Sequence, residues 1–384
     1  MKAKVTDIIV QALVDLDVKT VTNVPGYGGS EVFEAYSTKK MKNLPVSFHE
    51  EVAYTIAHSS AICGTRSAVL TKAQGVAKAM NSIVDSLYTD LTAGMLVLVF
   101  DDRSGAHSDN IMETEPLLNG ISLPFHSAQI DTIYEDIISA VNESEKLQMP
   151  VALIVDTDMI DKEGWFEPHN NLLRNVHYKR DILHHVVHPY LAEYQYKIFT
   201  AKKMGGDRFA IHKPELPKLP ENLPERYKES AEKYTPFFEI FKTIKRDITT
   251  GDTSISSSFA FPPYNAIDIV TYIGGSIPLA IGAYYAGNKK VWALSGDFGF
   301  LAAGHYGLLE ALNRELPVKV VIFYNKSAGA TGGQKIQKKT MLRILAGYDH
   351  FITHISNPSD PFEIQSVLEE VNSKDELQIV LVDY

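Results

Sequence analysis

The sequence predicts an α/β protein made of two doubly wound, parallel-sheet modules joined by a long linker. Three observations predict it. Short apolar runs alternate with helix-periodic stretches over residues 1–160 and again over 236–384, and such alternation builds parallel sheets with helices on their faces. The intervening 161–235 holds the proline-dense string Lys213-Pro214-Glu215-Leu216-Pro217-Lys218-Leu219-Pro220-Glu221-Asn222-Leu223-Pro224, which reads as extended linker. Near the C-terminus, two apolar runs lead into Gly296-Asp297 and into Asn325.

In the first module, 5–18 has helix periodicity and 20–24 reads as a strand, followed by the loop Pro25-Gly26-Tyr27-Gly28-Gly29. A helix starts at Glu31, and another runs over 52–63. Residues 67–70 form a strand with Lys72-Ala73-Gln74-Gly75 as its loop, and 77–87 forms a helix. Residues 95–100 form a strand ending at Asp101-Asp102, and 151–155 is the last strand of this half. In the middle, 181–200 reads as helical with a break near Pro189. It carries His184 and His188 four residues apart, a spacing that suits a metal, but with no third ligand in view it reads as a surface helix. The second module begins with a helix at 236–245 and ends with a strand at 378–382.

The chemistry concentrates in the second module. Val291-Trp292-Ala293-Leu294 leads into Gly296-Asp297, residues 302–314 read as a crossover helix, and Val318-Lys319-Val320-Val321-Ile322-Phe323-Tyr324 leads into Asn325. An acid and an amide thus stand at the carboxyl ends of neighbouring parallel strands, where open α/β sheets bind ligands. With a backbone carbonyl they make a hard-oxygen set suited to Mg²⁺ carrying a diphosphate. Just upstream, Ile273-Gly274-Gly275-Ser276-Ile277-Pro278-Leu279-Ala280-Ile281-Gly282 allows close backbone approach to a ligand, or the packing of a tight core helix. In the first module, Phe48-His49-Glu50-Glu51-Val52-Ala53 opens a helix with acidic residues that complement its dipole.

Taken in order, these pieces resemble those of thiamine diphosphate (ThDP) enzymes. The resemblance implies that Asp297, Asn325 and the Ser327 carbonyl ligate Mg²⁺, with Gly296 and Phe298 beside the cofactor. It implies Ile277 as the apolar prop that bends the cofactor, with Gly275 and Ser276 near its pyrimidine. It also implies Glu50 as the carboxylate that hydrogen-bonds the aminopyrimidine. Gly26, Gly75, His49 and Lys72 would line the cofactor and substrate loops, His49 with a catalytic role. Lys72 serves equally well in a salt bridge, and His49 as a core histidine. His107 is a further candidate for proton transfer or an ordinary loop histidine. The pattern departs from the family at Phe298, where glycine is usual, and at Tyr324, where asparagine is usual.

One branch is closer still, the large subunit of indolepyruvate ferredoxin oxidoreductase. Val24-Pro25-Gly26, Asp101-Asp102 with His107-Ser108, Gly274-Gly275-Ser276-Ile277, and Asn325 with Thr331-Gly332-Gly333-Gln334 are similar to it. They cover residues 1–160 and 235–384. By this resemblance the chain decarboxylates an aryl or branched 2-oxo acid, such as indolepyruvate, with ThDP and Mg²⁺. A homodimer is the minimum assembly, and a small partner subunit or an electron acceptor would complete an oxidoreductase. A stand-alone non-oxidative decarboxylase or carboligase is the alternative, and a non-catalytic ThDP-fold protein a third reading.

Two departures bear on electron transfer. The stretch between the modules is too short for that family's additional domain. The chain also has one cysteine, Cys63, whereas an iron–sulfur cluster needs about four ligands and an internal disulfide needs two. The composition is 45% hydrophobic and 22% charged, with a formal net charge of −10. That balance argues against a nucleic-acid partner, which calls for a basic face. No apolar run approaches a membrane span. With no signal-type apolar region after Met1, the expected location is the cytoplasm.

Overall fold

The computed structural model describes residues 1–170, 172–219, 223 and 225–384, with 225–227 described by backbone alone. The chain divides into two compact units, Met1–Lys179 and Arg180–Tyr384.

In the first unit, five parallel strands lie in the order Thr20–Asn23, Ser67–Lys72, Met95–Asp101, Val151–Asp156, Phe125–Ser127. All seven residues of Met95–Asp101 are buried, as expected of a central strand covered on both faces. Alternate residues point to opposite faces. Leu96, Leu98 and Phe100 join Leu70, Leu153 and Val155 in one core with the helices Val5–Asp15, Gly29–Lys39 and Ile133–Leu147. The helix Glu50–Ile62 packs against Thr20–Asn23, Ser67–Lys72 and the helix Met80–Ser86. The helix expected at 77–87 is broken at Ala79 into Ala73–Lys78 and Met80–Ser86. A two-stranded antiparallel pair, Lys2–Lys4 with Glu163–Trp165, completes the unit.

The second unit has a six-stranded parallel sheet in the order Ile352–Ile355, Gln378–Asp383, Lys319–Tyr324, Val291–Gly296, Ile248–Gly251, Ile269–Val270. The crossover between its two central strands begins with the α-helical turn Asp297–Gly299, passes through a π-helical turn, Phe300–Gly304, and continues as the α-helix His305–Asn313. Ser276–Tyr285 is the core helix that the small-residue stretch allowed, with Ser276 to Ala283 all buried.

The linker is where sequence and structure part. From Arg180 onward the chain belongs to the second unit. It forms the turn Ile182–His185, the helix Ala192–Met204 and a helix Glu225–Phe241. The last begins well before the expected start at Pro236, which sits inside it. The reason is apolar packing. Tyr234, Phe237, Phe238 and Phe241 recur at helical spacing, and all four are buried in the core with Trp292 and Phe323. Within the proline-dense string, Leu219 is buried and its N–H donates to the Pro262 carbonyl at 3.0 Å. Pro220, Glu221, Asn222 and Pro224 of that string lie outside the described residues.

Phe238 stacks on Phe259 with centroids 3.9 Å apart. Phe238→Ala is expected to lower the stability of the second unit by about 3–5 kcal/mol, measured as a lower urea midpoint for its unfolding.

A cavity at three strand ends in the second unit

Three neighbouring strands of the second sheet, Ile248–Gly251, Val291–Gly296 and Lys319–Tyr324, run parallel. The residues that follow their carboxyl ends are Asp252, Asp297 and Asn325. All three line a cavity of about 360 Å³, the position at which parallel α/β sheets open to ligands.

Asp297 is almost fully buried. Its Oδ1 accepts the Phe298 N–H at 2.8 Å and its Oδ2 the Lys326 N–H at 2.8 Å. Burial outweighs these bonds and raises its pKa to about 6. None of the described ion pairs involves it. The Asn325 Oδ1 accepts the Ser327 N–H at 3.0 Å, and its Nδ2 donates to the Tyr234 hydroxyl at 2.7 Å. Asp252 is wholly buried. Its Oδ2 accepts from the Ser295 hydroxyl at 2.7 Å and the Gly274 N–H at 3.2 Å. Its Oδ1 has no hydrogen-bond partner. Burial raises the Asp252 pKa to about 6 as well.

The lining is also rich in hydroxyls, from Thr253, Ser254, Ser256, Ser257 and Ser258, which follow Asp252 in the chain. His188 also faces the cavity. It is buried, its Nδ1 accepts the Tyr190 N–H at 3.1 Å, and its Nε2 lies 3.4 Å from the Ser258 hydroxyl. An accepting Nδ1 puts the ring proton on Nε2. Burial lowers the His188 pKa to about 4, so the ring is neutral at pH 7. This corrects the surface-helix reading of 181–200. The helical turn ends at His185, and Val186 is extended and bridges Val270.

The predicted residues are brought together in part. Gly296, Asp297, Phe298, Asn325 and Ser327 all line the cavity. Gly275, Ser276 and Ile277 do not. Ile277 is fully buried in the core helix, its Cβ within 3.0 Å of where a side chain on Gly307 would begin. Apolar residues that do line the cavity include Ile273, four residues before Ile277, and Ile255. The departure at Phe298 also has a physical account, since glycine is required one position later. A Cβ on Gly299 would stand 2.2 Å from the Asp252 Oδ2.

The remaining candidates lie in the first unit. Glu50 opens its helix after His49 and pairs with Lys78 at 2.8 Å. Gly75 closes on it, since a Cβ there would meet the Glu50 Cγ at 2.9 Å and the Thr71 hydroxyl at 2.0 Å. A Cβ on Gly26 would meet the Lys72 stem at 2.8 Å, and the Lys72 ammonium donates to the His107 carbonyl. The His107 ring stacks on Tyr27 at 3.7 Å. Asp102 shapes this loop by accepting from the Ala106 and His107 N–H groups at 3.2 and 2.7 Å. Lys72 thus binds a carbonyl rather than a carboxylate.

Sequence reading missed Asp252, Tyr234 and Ile273, and assigned His188 to a surface helix. Asp252 follows a short strand with two threonines, Ile248–Gly251, which shows no apolar run. The cluster of serines after it was the available signal.

Known proteins share parts of this sequence and the whole of this fold. Residues 250–374 match the family model described as thiamine pyrophosphate enzyme, C-terminal TPP binding domain. The chain matches solved structures along nearly its whole length. One is the thiamine diphosphate-dependent 4-hydroxybenzoylformate decarboxylase of Rhodococcus jostii RHA1, with a TM-score of 0.70 at 14% identity, covering 99% of each chain. Another is benzoylformate decarboxylase from Polynucleobacter necessarius, with a TM-score of 0.66 at 11% identity, covering 99% of this chain and 98% of that one. The chain therefore has the fold seen in ThDP-dependent enzymes, and its residues 250–374 are similar to their C-terminal TPP-binding domain. In sequence it is similar to indolepyruvate oxidoreductase subunit IorA. The protein of Methanothermobacter thermautotrophicus is 28% identical over 162 residues, which are 41% of this chain and 26% of that protein. The protein of Methanothermobacter marburgensis is 29% identical over 163 residues, with the same coverage. The match spans about a quarter of the length of these relatives.

The raised pKa of Asp252 has a signed consequence. Between about pH 4 and pH 6 the folded chain holds a proton that the unfolded chain has lost, so this group's contribution to stability falls as pH rises through that window. Asp252→Asn should therefore stabilise the metal-free protein at pH 8 by roughly 2–3 kcal/mol, with the gain shrinking toward zero at pH 4. Denaturant midpoints at the two pH values measure it.

Proposed function

We propose that the chain binds ThDP through Mg²⁺ at this cavity and uses it to decarboxylate a small 2-oxo acid. One observation carries the reading. The cavity lining holds two buried carboxylates, many hydroxyls and no lysine or arginine among the described residues. A diphosphate beside such carboxylates requires a bridging divalent cation. The donors fit Mg²⁺, since the Asp297 carboxylate has no counter-ion among the described ion pairs and stands with the Asn325 amide oxygen and the Ser327 carbonyl as hard oxygens.

The bound cofactor supplies the electron sink that lets a 2-oxo acid lose CO₂. The protein supplies orientation and polarity. Asp297, Asn325 and Ser327 would hold the metal, and the hydroxyls of Ser254, Ser256 and Ser257 would donate to the phosphates. Ile273 would support the bent cofactor in place of Ile277. Glu50 would hydrogen-bond the aminopyrimidine and His49 would face the substrate. By the family resemblance, Glu50 comes from a second copy of the chain, so a homodimer is the smallest assembly we propose. Exposed apolar residues Tyr306, Leu309 and Leu312, three apart on the crossover helix, and Phe298 beside Asp297 fit that pairing.

The fate of the electrons separates two readings. Similarity to the oxidoreductase subunit IorA favours a subunit that passes electrons to a partner. The single cysteine leaves this chain without the thiolates of an iron–sulfur cluster, which favours the stand-alone decarboxylase. The cytoplasm is the proposed location. Among the described residues no helix is long and apolar enough to cross a membrane.

Calorimetric titration of ThDP into the chain, with and without Mg²⁺, tests the cofactor. Tight binding only with Mg²⁺ is expected, and binding indifferent to Mg²⁺ would refute the ligand set. A screen of 2-oxo acids, with and without an electron acceptor, then separates the two readings. Glu50→Gln is expected to bind ThDP as the wild type does and to lose at least 100-fold in turnover. Unchanged turnover would remove Glu50 from the site.

A further inference from the structure

We infer that Tyr234, on the helix Glu225–Phe241, is a positioning residue that aims Asn325 at the metal. The inference rests on the Mg²⁺ site proposed above. The two shortest contacts fix the Asn325 amide from opposite ends. The Ser327 N–H can only donate, so the end it meets at 3.0 Å is Oδ1. The Tyr234 hydroxyl takes the other end, accepting from Nδ2 at 2.7 Å. Between them they set both the plane of the amide and the direction in which its oxygen points. The Ser327 hydroxyl also reaches Oδ1, at the longer distance of 3.4 Å, a contact that a cation would displace to take the second lone pair beside Ser327, whose carbonyl would be the next ligand.

Tyr234 is itself rigidly held. It is buried, and its ring packs on Phe323 with centroids 5.1 Å apart and edge-on against Tyr384 at 4.7 Å. Phe323 is on the strand that Asn325 follows, so tyrosine and asparagine are registered through one element. Burial keeps the Tyr234 phenol protonated, and the nearby Asp297 and Asp252 carboxylates act in the same direction. The hydroxyl remains a neutral partner for the amide at every working pH. Partners of this kind, one bond removed from the metal, fix the ligand's orientation, and losing one weakens metal binding by about 10–100-fold.

The test is calorimetric titration of Mg²⁺ into the full chain with saturating ThDP, for wild type, Tyr234→Phe, Asn325→Ala and the double variant. Tyr234→Phe keeps the ring and its packing and removes one oxygen. It is expected to weaken Mg²⁺ binding roughly tenfold. In the Asn325→Ala background the same change should have no further effect, since the amide it acts through is gone. A purely structural tyrosine would weaken binding equally in both backgrounds. Unchanged Mg²⁺ affinity in Tyr234→Phe, or effects that add across the two sites, would overturn the inference while leaving the metal site standing. Absence of Mg²⁺-dependent binding in the wild type would overturn both. A ligand-free readout accompanies the titration: the side-chain amide resonance of Asn325, assigned by its loss in Asn325→Ala, should shift in Tyr234→Phe, and an unmoved resonance counts against the clamp.

Discussion

The cavity depends on one clasp, the Asp297 carboxylate spanning the ends of two neighbouring strands. One oxygen holds the N–H of the residue after it, and the other crosses to the Lys326 N–H beyond the next strand. Lys326 has a φ of +66°, a left-handed conformation that side-chain-bearing residues rarely adopt. The clasp stabilises that turn, and the turn places Asn325 and Ser327 on either side of Lys326, both at the cavity. Because the clasp is made of backbone dipoles rather than a cationic side chain, the carboxylate is immobilised without being neutralised. Its charge remains available to a bound cation.

Asp252 repeats the principle one strand over. It ties Ser295, on the middle strand, to Gly274, at the entry to the core helix. Gly274 has a φ of +80°, and a Cβ there would collide with the Gly299 carbonyl at 2.8 Å. Two buried acids thus hold three backbone N–H groups and one serine hydroxyl around one small volume. Each is costly to bury, and the cost falls at the site, where departures from the most stable packing are expected.

Much of this was legible from the chain alone, for identifiable reasons. The strands ending at Asp297 and Asn325 announce themselves because both lie in the sheet interior and are continuously apolar. Glu50 announces itself by opening a helix. Ile273 did not stand out because Ile273-Gly274-Gly275-Ser276-Ile277 has an isoleucine at each end, and only the backbone decides which of the two lines the cavity. The helix Glu225–Phe241 was obscured by Pro236 and by its polar first half. Its apolar face is spelled by aromatic residues that acquire meaning only against Trp292 and Phe323. Asp252 was hidden for a related reason, since a four-residue strand with two threonines resembles a turn.

The placement of that helix sets where the second unit can be cut free. The portion matching the TPP-binding family model ends at residue 374 and begins at 250. It therefore excludes the strand Gln378–Asp383, which lies inside the sheet between Ile352–Ile355 and Lys319–Tyr324. It also excludes the helix carrying Tyr234, Phe237, Phe238 and Phe241. A fragment drawn to those limits would have an open gap in its sheet and a stripped aromatic face, two surfaces prone to self-association. The piece with a closed core runs from Arg180 to Tyr384, so a stretch that reads as a tether in the sequence belongs inside any excised domain.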